Sequence, residues 1–595
     1  MSKPEQTNPA EPRPDEGLDF ARIAEQSRQI VADFMARHNE RLIEGDVDPM
    51  NVSSAFFEMA AQMMANPARL AQAQMSLWQD HMALWQHATE RMMGVESAPL
   101  IEPKKDDRRF RDSEWNENLL FDYFKQSYLL TARWLHSTVD DVECLDRDTQ
   151  RKIDFYTRQF VDAIAPTNFA LTNPEVIRAT QESQGENLVR GLRNLLDDLE
   201  KGGGHGPAIR MIDESAFKVG ENIAITPGKV IHRTDLAELI QYTPTTEQVY
   251  SRPLLIVPPW INKFYILDLR PENSFIRWAV DQGFTVFVIS WANPDEALAD
   301  KEFVNYMHEG PLSALDAIEQ ATGRRDVSAI GYCLGGTLLA TTLAYMAACK
   351  DTRIKAATFF TSLVDFTEAG DLRVFVDEDQ VASLEKKMAG KGYLDAEAIA
   401  KTFNMLRAND LIWSFVVNNY LLGRDPLPFD LLYWNSDSTR MPAKMHSFYL
   451  RQMYMENRLA EPGGIALDGV PIDLGNVTIP TYLLAAKEDH IAPWVACYAA
   501  TRLMGGTKHF VLAASGHVAG VINPPVKARY GYWTGETEGV AVQDWLDAAE
   551  SHDGSWWPDW AAWLKQRSGK KVPARNPDDS TLEVLADAPG EYILK

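Results

Sequence analysis

The segment DVSAIGYCLGGTLLATTLAY, residues 326–345, places a cysteine where its surroundings suit a nucleophile. An apolar run from Val327 to Ile330 ends in Gly-Tyr-Cys-Leu-Gly-Gly and continues as a mostly apolar helical pattern. That is the layout of a nucleophile elbow, in which a reactive side chain sits on a strained turn between strand and helix. The apex is Cys333, a position that usually holds serine. Gly331, Gly335 and Gly336 free the backbone to turn sharply and let strand and helix approach closely. A thiol here needs a base to take its proton and a third group to orient that base. In this topology the partners follow as acid and then histidine, each just past a later strand. LLAAKEDHIAPW offers Asp489, with Glu488 and His490 as neighbouring competitors, and VLAASGHVAG offers His517. An oxyanion hole would combine the amide of Leu334 with one from VPPWINKFYILDL. Pro258 and Pro259 have no N–H, so the second donor is Trp260 or Ile261. Asp268, in the same loop, either orders it or is solvated.

The elbow implies acyl transfer, and the thiol narrows the donor. Exchange between two thioesters is nearly balanced in energy, the leaving thiol departs easily, and the histidine supplies the thiolate. Water as acceptor would make a thioesterase; an alcohol would make an ester. Cys349 and Cys497 read as small core hydrophobes. The 12 histidines show no metal-binding spacing, and no cofactor motif is present.

From about residue 220 the apolar period changes from helical to alternating. GKVIHRTDLAELIQYTP reads as a hairpin; PLLIVPPW, FTVFVISW, the elbow strand and KAATFFTS read as strands, with GPLSALDAIEQATG as an intervening helix. Such alternation predicts a mostly parallel sheet covered by helices on both faces. The rhythm breaks over 366–476, an insertion rich in aromatics (Trp413, Tyr420, Trp434 and Tyr449 among them), and resumes with PTYLLAAKED and HFVLAASGH. The expected organisation is a disordered tail at 1–20, a helical domain at 21–215, core at 216–365 and 477–575, a cap at 366–476 and a tail at 576–595. In the helical domain, Met75, Trp78, Met82, Trp85 and Met92 share a face, expected as a packing seam, with an adhesive surface as the other reading. Leu120, Tyr123, Phe124, Ser127, Leu130 and Trp134 share another, and Gly202–Gly206 reads as a loop.

With 595 residues, 45% apolar and 24% charged, the chain reads as globular with two or three folding units. A net charge of −25 argues against nucleic acid as a partner. Four cysteines (Cys144, Cys333, Cys349, Cys497) without pairing rhythm, no leader-like N-terminus and no long apolar window lead us to expect a reducing, cytoplasmic setting with no transmembrane segment.

The elbow GYCLGG, together with PPWINKFYILDL, SWANP, RANDLIWSFVVNNYLLG, KEDHIAPW, GHVAGVINPP, DRRFRDSEWNENLLFDYFKQSYLL and the closing APGEYILK, resembles the class I polyhydroxyalkanoate synthases from about residue 100 onward. The resemblance implies an α/β-hydrolase core with an inserted helical cap and a helical N-terminal domain. It implies polymerisation of (R)-3-hydroxyacyl-CoA with short side chains into polyester, CoA being the leaving group and no cofactor being used. Cys333 would carry the acyl chain, His517 would activate it, and Asp489 would orient His517 or help activate the attacking hydroxyl. It further implies a homodimer through the cap and attachment to polyester granules in the cytoplasm. The competing expectation is an acyl-CoA thioesterase or polyester hydrolase on the same fold.

Overall fold

The computed structural model describes residues 25–29, 59, 67–105, 107–140, 142, 145–202, 207–527 and 529–595. The expected tail at 1–20, Cys144 and the glycines of 203–206 lie outside them. The described chain forms two compact units, one reaching Asp213 and including Arg407–Leu427, the other holding Glu214–Leu406 and Pro428–Lys595. The stretch expected as a single cap, 366–476, is therefore divided. Tyr420 explains the split: its hydroxyl donates to the fully buried Asp198 at 2.7 Å. A Cβ on Gly191 would also lie 1.8 Å from the Tyr420 carbonyl oxygen, so the helix carrying both Gly191 and Asp198 presses directly on this segment.

The helical unit contains α1 (Pro67–Met92), α2 (Leu119–Asp140), α3 (Arg147–Ala163), α4 (Pro174–Glu182) and α5 (Glu186–Lys201). Asp146 and Asn173 cap α3 and α4 by accepting backbone N–H groups of the first turn. The Met and Trp face of α1 is not a packing seam in this chain: Trp78 is 63% exposed and Trp85 68%. The opposite face, with Leu84 and His87, turns inward. On α2 the expected apolar face holds at Leu130, which is buried, and at Phe124, which packs on the core, but Leu120 is exposed and Asp122, Lys125 and Gln126 are buried beside it. Ion pairing is the reason. Asp122 receives His87 Nε2 at 2.9 Å and Lys125 Nζ at 3.1 Å, and Arg91 also reaches it.

The second unit is built on an eleven-stranded sheet. In chain order its strands are β1 (Gly228–Arg233), β2 (Ala237–Tyr242), β3 (Leu254–Val257), β4 (Val286–Trp291), β5 (Val327–Tyr332), β6 (Ile354–Phe360), β7 (Thr481–Ala486), β8 (Lys508–Ala513), β9 (Tyr532–Gly535), β10 (Glu550–His552) and β11 (Ala586–Asp587). Their spatial order is β10-β9-β8-β7-β6-β5-β3-β4-β2-β1-β11, parallel from β4 to β8 and antiparallel at both flanks. Side chains alternate between faces. Leu255, Val257, Val327 and Ala329 enter one core, while Leu254, Ile256, Ile330 and Tyr332 enter the other. Residues 576–595 are not a free tail: β11 pairs with β1, and the buried carboxylate of Glu238 accepts the N–H groups of Glu591 and Tyr592 at 2.9 and 3.0 Å.

Candidate active site

The elbow lies between β5 and α6 (Leu334–Ala348). Cys333 takes φ 51°, ψ −122°, a strained conformation for a residue with a side chain. Its N–H donates to the Phe360 carbonyl at 2.9 Å, and its own carbonyl receives the N–H of Gly336 at 2.9 Å. The three glycines answer to three separate constraints. A Cβ on Gly331 would lie 2.4 Å from Gly336 Cα, on Gly335 2.2 Å from the Val257 carbonyl oxygen, and on Gly336 1.9 Å from Ser362 Oγ. The turn is therefore pressed against both β3 and the exit of β6.

Asp489 follows β7 and is buried, whereas neighbouring Glu488 is exposed. One Asp489 oxygen accepts the N–H groups of Ile491 and Ala492 at 2.8 and 2.9 Å, so the side chain closes its own turn. The other oxygen receives His517 Nδ1 at 2.6 Å. With Nδ1–H committed to Asp489, the free ring nitrogen Nε2 is the one left for Cys333. Burial pushes the His517 imidazole down, but the Asp489 carboxylate and the neighbouring Cys333 side chain carry it well above the usual histidine range. The buried Asp489–His517 pair thus stands next to the half-buried Cys333.

Residues that sequence patterns did not single out hold this arrangement. The Tyr332 ring stacks on His517 with centroids 5.8 Å apart and planes 23° from parallel. Beyond His517, the indole N–H groups of Trp556 and Trp557 donate to the carbonyls of Gly520 and Val521, both at 2.9 Å. A WW pair near a helix start was the available signal, but indoles read as core until their carbonyl partners are known.

Leu334 opens α6, where the first N–H groups of a helix have no intrahelical acceptor. The Pro258–Lys263 loop runs beside this terminus, since a Cβ on Gly335 would also meet the Pro258 carbonyl oxygen at 2.5 Å. The loop is clamped from its far side: Thr439 Oγ1 donates to the Trp260 carbonyl, Trp434 Nε1 donates to that of Lys263 at 2.7 Å, and Asn262 bridges Ser438. Trp260 and Ile261 thus lie on a fixed segment. Asp268 is buried and orders the loop's end, receiving Thr226 Oγ1 at 2.5 Å and Ser274 Oγ at 2.6 Å; burial raises its carboxyl to about 6 against those hydrogen bonds. Cys497 is buried with its Sγ donating to the Ala492 carbonyl, while Cys349 is exposed, against the core reading.

A mostly parallel sheet with a strained elbow, a later acid and a last histidine defines an α/β-hydrolase fold, and the family description "alpha/beta hydrolase fold" matches residues 254–524. Residues 106–279 match "Poly-beta-hydroxybutyrate polymerase (PhaC) N-terminus". The chain is 49% identical over 606 aligned positions to the poly(3-hydroxyalkanoate) polymerase of Methylorubrum extorquens, covering 99% of each chain. It is 48% identical to the poly(3-hydroxyalkanoate) polymerase subunit of Rhizobium meliloti, covering 97% of this chain and 94% of that one. To the subunit of Cupriavidus necator it is 42% identical, covering 89% of this chain and 88% of that one. It belongs to the poly(3-hydroxyalkanoate) polymerase family.

Proposed function

We propose that the chain polymerises (R)-3-hydroxyacyl-CoA with short side chains, (R)-3-hydroxybutyryl-CoA above all, through covalent thioesters on Cys333. The observation that carries this reading is a cysteine on the strained elbow next to the buried, hydrogen-bonded His517–Asp489 pair. His517 takes the thiol proton. The Cys333 sulfur attacks the thioester carbonyl, and the oxyanion that forms is met by the N–H of Leu334 and that of Trp260 or Ile261. The carbon–sulfur bond to CoA breaks, and the CoA sulfur leaves with the proton held by His517. The 3-hydroxyl of a second acyl-CoA then gives its proton to His517 and attacks the Cys333 thioester. An ester forms, the Cys333 sulfur leaves with that proton as the thiol, and the lengthened acyl-CoA reloads Cys333 by the same exchange with release of CoA. Asp489 holds the imidazole in the tautomer that both half-reactions need.

The reading includes a homodimer through cap residues and attachment to polyester granules in the cytoplasm. The exposed Met and Trp face of α1 supports the second point, because an adaptable apolar surface suits contact with polyester. No described helix is long and apolar enough to cross a membrane.

The test uses the purified chain and (R)-3-hydroxybutyryl-CoA, with free CoA read by a thiol reagent and the pellet weighed. CoA release with insoluble polyester is the expected result. CoA release with soluble 3-hydroxybutyrate alone would make the protein a thioesterase.

A further inference from the structure

Beside the elbow, three aromatic rings meet that the Cys333–His517–Asp489 relay does not use. Phe366 is fully buried six residues beyond the end of β6. Its ring centroid is 6.0 Å from that of Tyr449 and 5.0 Å from that of Tyr454, and the tyrosine rings stand 5.4 Å apart at 84°. The two tyrosines are five residues apart on a π-helical stretch, Tyr449–Met455, whose wide turn brings such positions together. Asn457 ties this stretch to the strand exit: its side chain accepts the Phe366 N–H at 2.7 Å and donates to Asp365 at 2.9 Å. The same strand exit carries the Phe360 carbonyl that takes the Cys333 N–H, so the aromatic group and the nucleophile hang from one segment.

The chemistry of the pair is specific. The two phenol rings meet edge to face, and both lie within electrostatic reach of the Cys333 side chain, Tyr454 also of Asp489. Each phenol owns one O–H, and a bond between the two hydroxyls can occupy only one of them, leaving the other to donate elsewhere. Burial pushes both phenols above the ordinary tyrosine range, so they stay protonated donors. Tyr454 is buried and Tyr449 is half-buried.

We propose that the Tyr449–Tyr454 pair positions the acyl group attached to Cys333 by donating its spare phenolic O–H to the 3-oxygen, a hydroxyl in the first acyl group and an ester oxygen once the chain has grown. The assignment rests on the polymerase reading above. It makes the pair a selector for 3-oxygenated acyl groups, because a site built to bond an oxygen discriminates against the analogue lacking it.

The test is single-turnover CoA release by the full chain from (R)-3-hydroxybutyryl-CoA and from butyryl-CoA, which has the same carbon chain without the 3-hydroxyl. Tyr454→Phe and Tyr449→Phe keep the rings and remove one O–H each. Either variant is expected to slow release from the hydroxyacyl substrate about ten-fold, the worth of one neutral hydrogen bond, and to leave butyryl-CoA release and the thermal midpoint as in the parent. Equal loss on both substrates, or no loss on either, overturns the assignment. A parent that releases CoA from neither substrate overturns the polymerase reading instead.

Discussion

At the scale of single residues, Asp489 and Gly335 give the sharpest tests. Asp489→Asn removes the carboxylate that offsets burial at His517, so the imidazole should titrate at lower pH, as followed by its NMR signal. The sign follows from linkage: with the folded value raised, His517 contributes stability that is complete below the unfolded value near 6.5 and is lost as pH rises through the folded value. That contribution should vanish in the variant, and turnover should fall by roughly 10²–10⁴-fold with the tautomer no longer fixed. Gly335→Ala sets a Cβ against two backbone carbonyls that cannot rotate away. A loss of about 1–3 kcal/mol in urea unfolding is expected, with activity falling further because the loop proposed to supply the second oxyanion donor is what gets displaced. The elbow position of Cys333 and the pairing of Asp489 with His517 were legible in the sequence because each residue follows a short apolar strand in a fixed order. Tyr332 and Tyr454 were not. Stacking on an imidazole and a five-residue step on a π turn match neither the 3.6 nor the 2 period that sequence reading relies on.

At the scale of elements, two buried groups pull acid stability in opposite directions. His446, on the helix Ala443–Phe448, is held neutral by burial, its value lowered to about 4. Its folded state binds fewer protons than the unfolded chain, so stability falls as pH drops from about 6.5 to 4, by roughly 3 kcal/mol in all. Asp268 is raised to about 6, so its folded state binds more protons and stability rises as pH drops from about 6 to 4, by a similar amount. The contributions of these two groups should therefore nearly cancel across that window in chemical denaturation. His446→Gln should become more stable toward pH 4, and Asp268→Asn less stable. A parallel response of both variants would contradict these assignments. The parallel strands and the hairpin were legible from periodicity alone. The placement of 407–427 and the pairing of β11 with β1 were not, since each depends on a contact with a partner hundreds of residues away in sequence. The polar face of α2 was hidden for a related reason: Asp122 and Lys125 read as solvent-facing until His87 and Arg91 are known to meet them.

At the scale of the whole molecule, a chain of net charge −25 keeps a Met and Trp face on α1 open to its surroundings. Replacing Trp78, Met82 and Trp85 together with serine should reduce co-sedimentation with polyester granules while leaving turnover of soluble substrate within about two-fold, since these side chains are exposed and lie outside the catalytic site. Loss of turnover in step with loss of sedimentation would show a structural role instead. The central claim is that the growing chain is held as a thioester on one cysteine. The most direct measurement is acid quenching during turnover of (R)-3-hydroxybutyryl-CoA, followed by mass analysis of the peptide carrying Cys333. A ladder of 3-hydroxybutyryl units on that peptide, labile to hydroxylamine and absent in Cys333→Ala, is the expected result. An unmodified Cys333 peptide while polyester accumulates would contradict the claim.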